Sequence, residues 1–481
     1  MFKLNQTHSF FLLHIVIAIQ CQQLKRKPTK RTKAEAKVRA KSKLTKQNHP
    51  TIKVGAITAY YKRLWEIKMD VKRIFEITKE IAESVFIKEQ SRISPKYFTR
   101  NRNMTFTEAV YYILAPGKES LQLGLNRFFK RIGKEAKTIS EQAFSKARSH
   151  FDHLPFLEMV RKSTSEQYST QNGRQFLGKF LFAIDGTTLA LPDKASLCRA
   201  FGASGRKKDS ATAKVSLLYD IENDWIADAG IDTYKTTEHT LALKHIDRIC
   251  ALGIAEKSLI IFDRGYPQRA LIQKLIACNI SFLMRHRKSF NYTINECTQP
   301  DFVFNYDKNI SLRVIKLTLA TGETETLITN CFDLLYEDFQ ALYFKRWGVE
   351  TKYDIIKNKF ELGNFTGYTP NAILQDFWAC IHLANIVATM KCAADISVQK
   401  SRKNTNNKYF YQVNTAQLVG SLKDYFIEIV FLNARKKRNA ALKKLMLEIT
   451  RALSPIRNER SFWRNPWPRK TKFHANSKSN I

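Results

Sequence analysis

Two apolar runs, each closed by an aspartate, constrain the fold of this chain most. KFLFAID (179–185) and SLIIFDRG (258–265) stay hydrophobic up to the acid, and a glycine follows within two residues. A half-exposed strand would alternate apolar and polar residues, whereas an unbroken run of this length bounded by turn residues reads as a buried strand. Between the runs, AKVSLLYDI (213–221) and WIADAGIDTY (225–234) are separated by Glu222, Asn223 and Asp224 and form a hairpin pattern. A helix from His239 to Cys250, another over 267–279 and the strand SFLMRHR (281–287) complete the series. The order strand, strand, strand, helix, strand, helix, strand describes an α/β fold, a mixed sheet flanked by helices. Asp185 and Asp263 then end two strands and point out of one sheet edge.

Residues 288–326 interrupt this rhythm with alternating stretches (FVFNYD, SLRVIKLTLATG) that predict a small β-rich insertion. YEDFQALYFKRWGVETKYDIIKNKFEL (336–362) has few breakers and reads as one helix, and ILQDFWACIHLANIVATMKCAA (373–394) as an apolar helix packed on the sheet. Residues 51–160 are helical in pattern, with capping boxes at Thr105/Glu108 and Thr138/Glu141. Within them, ESLQLGLNRFFKRIG is followed after a short turn by a helix from Ser140 bearing Lys146 and Arg148. That pair is either a helix-turn-helix or a helical bundle with a basic face. The organisation expected is a basic disordered extension over 1–50, a helical DNA-binding domain over 51–160, a catalytic domain over 175–395, and a helical C-terminal region over 396–481. The last carries a basic tail and a patch at Arg435, Lys436, Lys437 and Arg438.

Charge narrows the function. Lys and Arg outnumber Asp and Glu by 80 to 43, for a net +37. Residues 1–50 hold twelve basic residues and one acid, yet the rest of the chain remains strongly basic. A polyanionic partner is the first inference from such a field. The eight cysteines have no paired short spacing, which argues against a zinc site or a disulfide framework and suits a reducing cytoplasm. Ser9–Gln20 is apolar for about twelve residues, short of the roughly 20 that span a bilayer. A cytoplasmic extension, or a start codon placed too early, is expected there rather than an export signal.

On a wheel of about 100° per residue, Tyr343, Arg346, Glu350 and Lys357 fall within an arc of about 60°. A packing helix would carry apolar residues at that spacing. This face instead presents a hydroxyl, a guanidinium, a carboxylate and an ammonium. With Asp185 and Asp263 upstream, Glu350 completes three carboxylates that suit hard divalent cations, Mg²⁺ or Mn²⁺, with room left for phosphate oxygens. Two such ions stabilise the attacking and leaving oxygens of an in-line displacement. Arg346, Lys357 and Tyr343 supply phosphate contacts. A surface ion pair between Arg346 and Glu350 is the plainer alternative, and Asp354 lies on the same arc, so the wheel alone does not prefer Glu350.

The motifs Asp185-Gly-Thr, Asp263-Arg-Gly-Tyr266 and Tyr343-x2-Arg346-x3-Glu350-x6-Lys357 resemble the insertion-sequence DDE transposases of the IS4 type, which carry a Tyr-Arg-Glu-Lys signature. NFTGYTP (364–370) and ILQDFWA (373–379) are similar to that family too. The resemblance covers about Lys179 to Ala394. It implies an RNase H-like core interrupted by a β-rich insertion, and a catalytic metal triad of Asp185, Asp263 and Glu350. It also implies transposon-end phosphates on Tyr343, Arg346 and Lys357, and an enzyme that cuts DNA and joins it to a target. The DNA partners would be transposon ends and target, the active form a synaptic homodimer, and the location the cytoplasmic nucleoid, with no membrane partner. Family members that use a hairpin intermediate hold a flipped base with an aromatic wedge. No Trp lies in 226–346, so Phe302, Phe304 or Tyr306 would have to serve. A nuclease or recombinase of the same fold without mobility, or an inactive DNA-binding relic, remains open. Terminal inverted repeats in the flanking DNA separate the first of these from a transposase.

Overall fold

The computed structural model describes residues 70–457 apart from 101, 116–119, 170–172, 206–208, 319–321 and 403–407. The basic extension over 1–50, its apolar stretch, the start of the helical region at 51–69 and the tail beyond 457 lie outside the described residues.

Among the described residues, six helices lead: α1 (Val71–Glu83), α2 (Val85–Ser91), α3 (Phe106–Leu114), α4 (Leu121–Arg131), α5 (Glu141–Arg148) and α6 (Leu154–Ser169). The capping box at α3 forms with both of its bonds. At α5 the cap is Ser140, whose hydroxyl accepts from the Ala143 amide, while Thr138 donates to the Glu135 carbonyl. The sheet region follows as β1 (Phe180–Ala190), α7 (Ala195–Phe201), β2 (Ala203–Ser204), β3 (Ser210–Asp220), β4 (Trp225–Thr233), α8 (Glu238–Ala251), β5 (Ser258–Phe262), α9 (Arg269–Ala277) and β6 (Ser281–Arg285). Then come α10 (Tyr292–Glu296), β7 (Asp301–Asp307), β8 (Ile310–Thr318), β9 (Thr324–Thr329), α11 (Tyr336–Phe344) and α12 (Trp347–Asn358). The long α13 (Pro370–Ser401), β10 (Phe410–Val413), α14 (Thr415–Phe431), α15 (Arg435–Ile449) and β11 (Leu453–Ile456) close the described chain.

The main sheet runs β2-β3-β1-β5-β6-β9-β8-β7, and β4 also pairs with β3. β3 runs antiparallel to both β1 and β4, whereas β5 and β6 run parallel to β1. Three antiparallel strands continued by two parallel ones, with helices on the faces, is the expected RNase H-like mixed sheet. The β-rich insertion does not stand apart from it. β9 pairs antiparallel with β6, so the β7–β9 meander lengthens the same sheet.

Strand alternation sorts the core onto two faces. Phe180, Phe182, Ile260, Phe262 and Phe282 join the larger hydrophobic cluster. Leu181, Leu259, Ile261 and Leu283 meet Phe339, Leu342 and Tyr343 of α11 in a second cluster. Phe302, Phe304 and Tyr306 of β7 pack against the larger cluster, and Tyr306 stacks on Phe290 at 5.4 Å. The proposed aromatic wedge is therefore not displayed on the outer face of β7, where Val303 is exposed instead.

The leading helices are not a separate unit. Thr78 of α1 contacts His382 of α13 at 2.8 Å, and Phe75 meets Phe426 of α14 at a ring separation of 6.1 Å. Both ends of the described chain thus share one core around α13. That helix is long and apolar enough to cross a membrane, but 78% of its apolar window is buried inside the protein.

Candidate active site

The β1–β5 register pairs Phe180 with Ser258 and proceeds one for one to Ala183 with Ile261. The pairing stops there: β5 ends at Phe262, so Asp263 lies just past it, whereas β1 does not end at Asp185 as expected but continues to Ala190, held by its pairing with β3. In-register neighbours on parallel strands project to the same face, with backbones about 4.8 Å apart. The face is the one bearing Leu181, Leu259 and Ile261, which α11 covers. Alternation along β1 puts Asp185 on that face, and Tyr343 of α11 meets Asp263 from the same side.

The expected helix over 336–362 is divided. α11 ends at Phe344 and α12 begins at Trp347. Across the joint the amides of Lys345, Arg346, Gly348 and Val349 bond three residues back, to Leu342, Tyr343, Lys345 and Arg346. The tighter turn advances the helical phase faster than 100° per residue. All four signature side chains nevertheless reach the sheet edge. Tyr343 donates to Asp263 Oδ1 at 3.3 Å, Arg346 Nη2 to Glu350 Oε1 at 3.1 Å, and Lys357 Nζ to Thr187 Oγ1 at 2.7 Å, two residues beyond Asp185. Asp354 takes another direction. It is exposed and accepts from Asn358, one turn along its own helix.

Electrostatics bind this group together. Burial pushes the Asp185 carboxyl up to about 6; Arg346 and the Gly186 amide pull it down, while Glu350 and Glu238 push it further up. Burial works against the Arg346 charge, yet Tyr343, Asp263, Glu350 and Asp185 more than offset it, so the guanidinium lies above its ordinary pKa. Burial also raises the Tyr343 hydroxyl, with Asp263 adding to the rise. Burial lowers Lys357, partly countered by Asp185.

Several supports carry no signal in the sequence. The Asp185 carbonyl accepts from Tyr353 of α12 at 2.8 Å and from Ser216 of β3 at 3.2 Å. Behind Ser216, His245 bridges Ser216 Oγ (3.1 Å) and Asp228 Oδ2 (2.7 Å). This Ser–His–Asp line is no nucleophilic triad, because Ser216 is fully buried and its hydroxyl is turned to the Asp185 backbone. Glu238, held by Lys214 at 2.7 Å, packs so close to Gly186 that a Cβ there would lie 2.7 Å from Glu238 Cγ. A side chain at 186 would require Glu238 to move. Lys352 anchors α12 to the β3–β4 turn through Asp224 at 3.0 Å.

The three carboxylates offer the oxygen ligands that a hard divalent cation takes. Glu350 is held by Arg346, and among the described residues no three His, Cys, Asp or Glu side chains converge closely enough to hold an ion.

The candidate DNA contacts fare unevenly. Lys146 is exposed. Arg148 is 4% exposed and bonds Gln375 (2.7 Å), Thr366 (2.6 Å), the Ala372 carbonyl (2.8 Å) and Asp376 (2.7 Å). It clamps α5 to the start of α13 and faces no solvent, so a DNA-reading role for it is corrected. Arg435 pairs with Glu76 at 3.4 Å and Arg438 donates to the carbonyls of Leu432 and Asn433, whereas Lys436 and Lys437 are exposed. The NFTGYTP segment builds the receiving end of the clamp, with Thr366 on Asp376 and Thr369 capping α13. A cavity of about 730 Å³ opens between this segment and α4–α5, and none of the three carboxylates lines it.

Fold and site together define a mixed-sheet protein with one aspartate inside its central strand β1, a second just past the neighbouring parallel β5, and a buried arginine within electrostatic reach of both. Residues 178–386 match the family described as the transposase DDE domain, a span that includes Asp185, Asp263 and Glu350, and that region is similar to DDE transposase domains. No curated protein matches the chain. Among solved structures, a cryo-EM structure of a piggyBac transposase synaptic complex with hairpin DNA aligns over 78% of this chain and 84% of its own, at 12% identity and a TM-score of 0.40. A likeness of that size leaves function to the site and to the family match.

Proposed function

We propose that the chain is a DNA transposase of the Tyr-Arg-Glu-Lys type that cuts the ends of an insertion sequence by metal-dependent phosphoryl transfer and joins them to target DNA. One observation supports the reading: within the segment matching a transposase DDE domain, Asp185 and Asp263 both act on the buried Arg346, which also holds Glu350. In cleavage, a water oxygen forms a new bond to phosphorus as the bond to the leaving oxygen breaks; in joining, a 3′-hydroxyl attacks instead. Asp185, Asp263 and Glu350 would hold two divalent ions, Mg²⁺ or Mn²⁺, with Glu350 turning from Arg346 toward the aspartates. When bound, such ions stabilise charge on the attacking and leaving oxygens. Arg346, freed from Glu350, offers a planar fork to the phosphate, Lys357 a point charge, and Tyr343 a hydroxyl. The reading carries with it a homodimer that pairs two ends, double-stranded DNA as partner, and work at the nucleoid of the cytoplasm.

The test is strand cleavage of linear duplexes spanning the DNA that flanks the gene, with Mg²⁺. Wild type should nick them, and Glu350→Gln should reduce the rate at least about a hundredfold. Asp354→Asn should cleave like wild type. Equal rates for wild type and Glu350→Gln would sink the assignment.

A further inference from the structure

Tyr266 is 1% exposed, yet its hydroxyl has no hydrogen-bond partner. The ring itself is well fixed. It packs against Phe262 at 5.2 Å and His239 at 5.8 Å, its amide donates to the Asp263 carbonyl at 3.1 Å, and its own carbonyl contacts His239 Nε2 at 3.1 Å. The hydroxyl is therefore held by the same turn that presents Asp263. Glu238, Asp185, Asp263 and Arg346 all lie within electrostatic reach of it.

Each neighbouring acid already has a donor from elsewhere. Asp263 accepts from Tyr343, Asp185 from the Gly186 amide, Glu350 from Arg346 and Glu238 from Lys214. A tyrosine hydroxyl carries its hydrogen at neutral pH, and here that donor is unused. Arg346 Nε is a second buried donor with no partner in the same group. Two unused donors among carboxylates that are already served point to an acceptor arriving from outside. A buried donor with nothing to bond destabilises a fold, and phenylalanine would pack the same ring without that cost.

We infer that Tyr266 is a further substrate-contacting residue, its hydroxyl donating to a non-bridging oxygen of the DNA phosphate bound beside Asp185 and Asp263. This role rests on the transposase reading above. It adds a neutral donor where carboxylates would otherwise repel the phosphate, and it matters most as negative charge grows on those oxygens.

Tyr266→Phe in the full chain tests it, on the flanking-DNA duplexes with Mg²⁺ and with Glu350→Gln alongside. The Phe variant should melt at or above the wild-type temperature while kcat for strand cleavage falls about tenfold to a hundredfold with KM little changed. In one phosphorothioate diastereomer at the scissile phosphate, where sulfur replaces the accepting oxygen, the penalty of the Phe variant should vanish. A melting temperature lowered by several degrees would reveal a structural partner for the hydroxyl and overturn the role. Wild-type kcat in Tyr266→Phe beside an inactive Glu350→Gln would overturn the role while leaving the transposase reading intact. A wild type that cleaves nothing would overturn both.

Discussion

Arg148 donates to four partners, two side chains and a carbonyl at the start of α13 and a threonine in the segment before it. Replacing it by methionine keeps much of the stem volume but leaves the partly buried Asp376 without its cation. Breaking a buried pair from one side costs about 3–5 kcal/mol. Arg148→Met should lower the unfolding free energy by that order in urea titrations, and the fraction still folded should bind DNA with wild-type affinity. Folded variant that binds weakly would return Arg148 to the DNA surface. Nothing in EQAFSKAR separates Lys146 from Arg148, because the burial of Arg148 is decided by residues more than 200 positions later in the chain. Asp185 and Asp263 are legible for the opposite reason. Their apolar runs fix strand identity locally, and period-2 alternation fixes the face. Glu238 and Tyr353 belong with Arg148, since each meets Asp185 or its neighbour only through tertiary packing.

At the scale of elements, strands and helices follow the sequence closely, and the hairpin of β3 and β4 turns at the three residues that break the apolar pattern. The joint between α11 and α12 does not follow from it. Lys345 and Arg346 are good helix formers, and the turn tightens where Lys345 ties to Glu222 across the sheet and Arg346 lies over the rings of Tyr343 and Trp347. α15 poses a different problem. It opens with Arg435, Lys436, Lys437 and Arg438 and has no side-chain cap, so four cations crowd the positive end of a helix dipole. Arg435 and Arg438 find partners in Glu76 and in carbonyls, while Lys436 and Lys437 face solvent. Replacing both lysines by alanine should raise the melting temperature slightly. If they touch phosphates, the slope of log affinity for duplex DNA against log salt should shrink by about two, near 0.9 for each lost contact. An unchanged slope would show that the patch does not meet DNA.

Across the whole molecule, α1 and α13 are joined through an interior pair that titrates. Thr78 Oγ1 gives its hydrogen to the Ile74 carbonyl at 2.8 Å, so His382 Nε2 must supply the hydrogen in its 2.8 Å contact with Thr78. His382 Nδ1 is then bare, buried and without a partner. Burial lowers the His382 pKa from 6.5 to about 3. The unfolded chain therefore binds a proton between those values that the folded chain refuses. The stability that His382 permits is full above pH 6.5 and is lost as pH falls toward 3, by at most about 1.4 kcal/mol per unit. Asp220 and Asp185, each raised by burial to about 6, act in the opposite direction between about pH 4 and 6, so raw curves mix these contributions. Stability of wild type minus that of His382→Gln isolates the histidine. The difference should fall steadily from pH 7 to pH 5 in denaturant titrations, and a flat difference would show that His382 is protonated when folded. The separate helical domain expected over 51–160 was not excluded by local pattern, because an amphipathic helix does not name its partner.

That shared core also has a consequence for the timing of synthesis. The side chains that α1, α3 and α6 bury against α13 wait for a helix made some 300 residues after α1. A ribosome reaching residue 360 has already incorporated every candidate catalytic carboxylate, yet the first helices still lack their packing surface. A product ended there, by a frameshift or a stop codon, would carry Asp185, Asp263 and Glu350 without the helix that joins both ends of the fold. Quality control in the cell would meet it as exposed apolar surface, so such a mutation would abolish the fold while leaving all three carboxylates in the sequence.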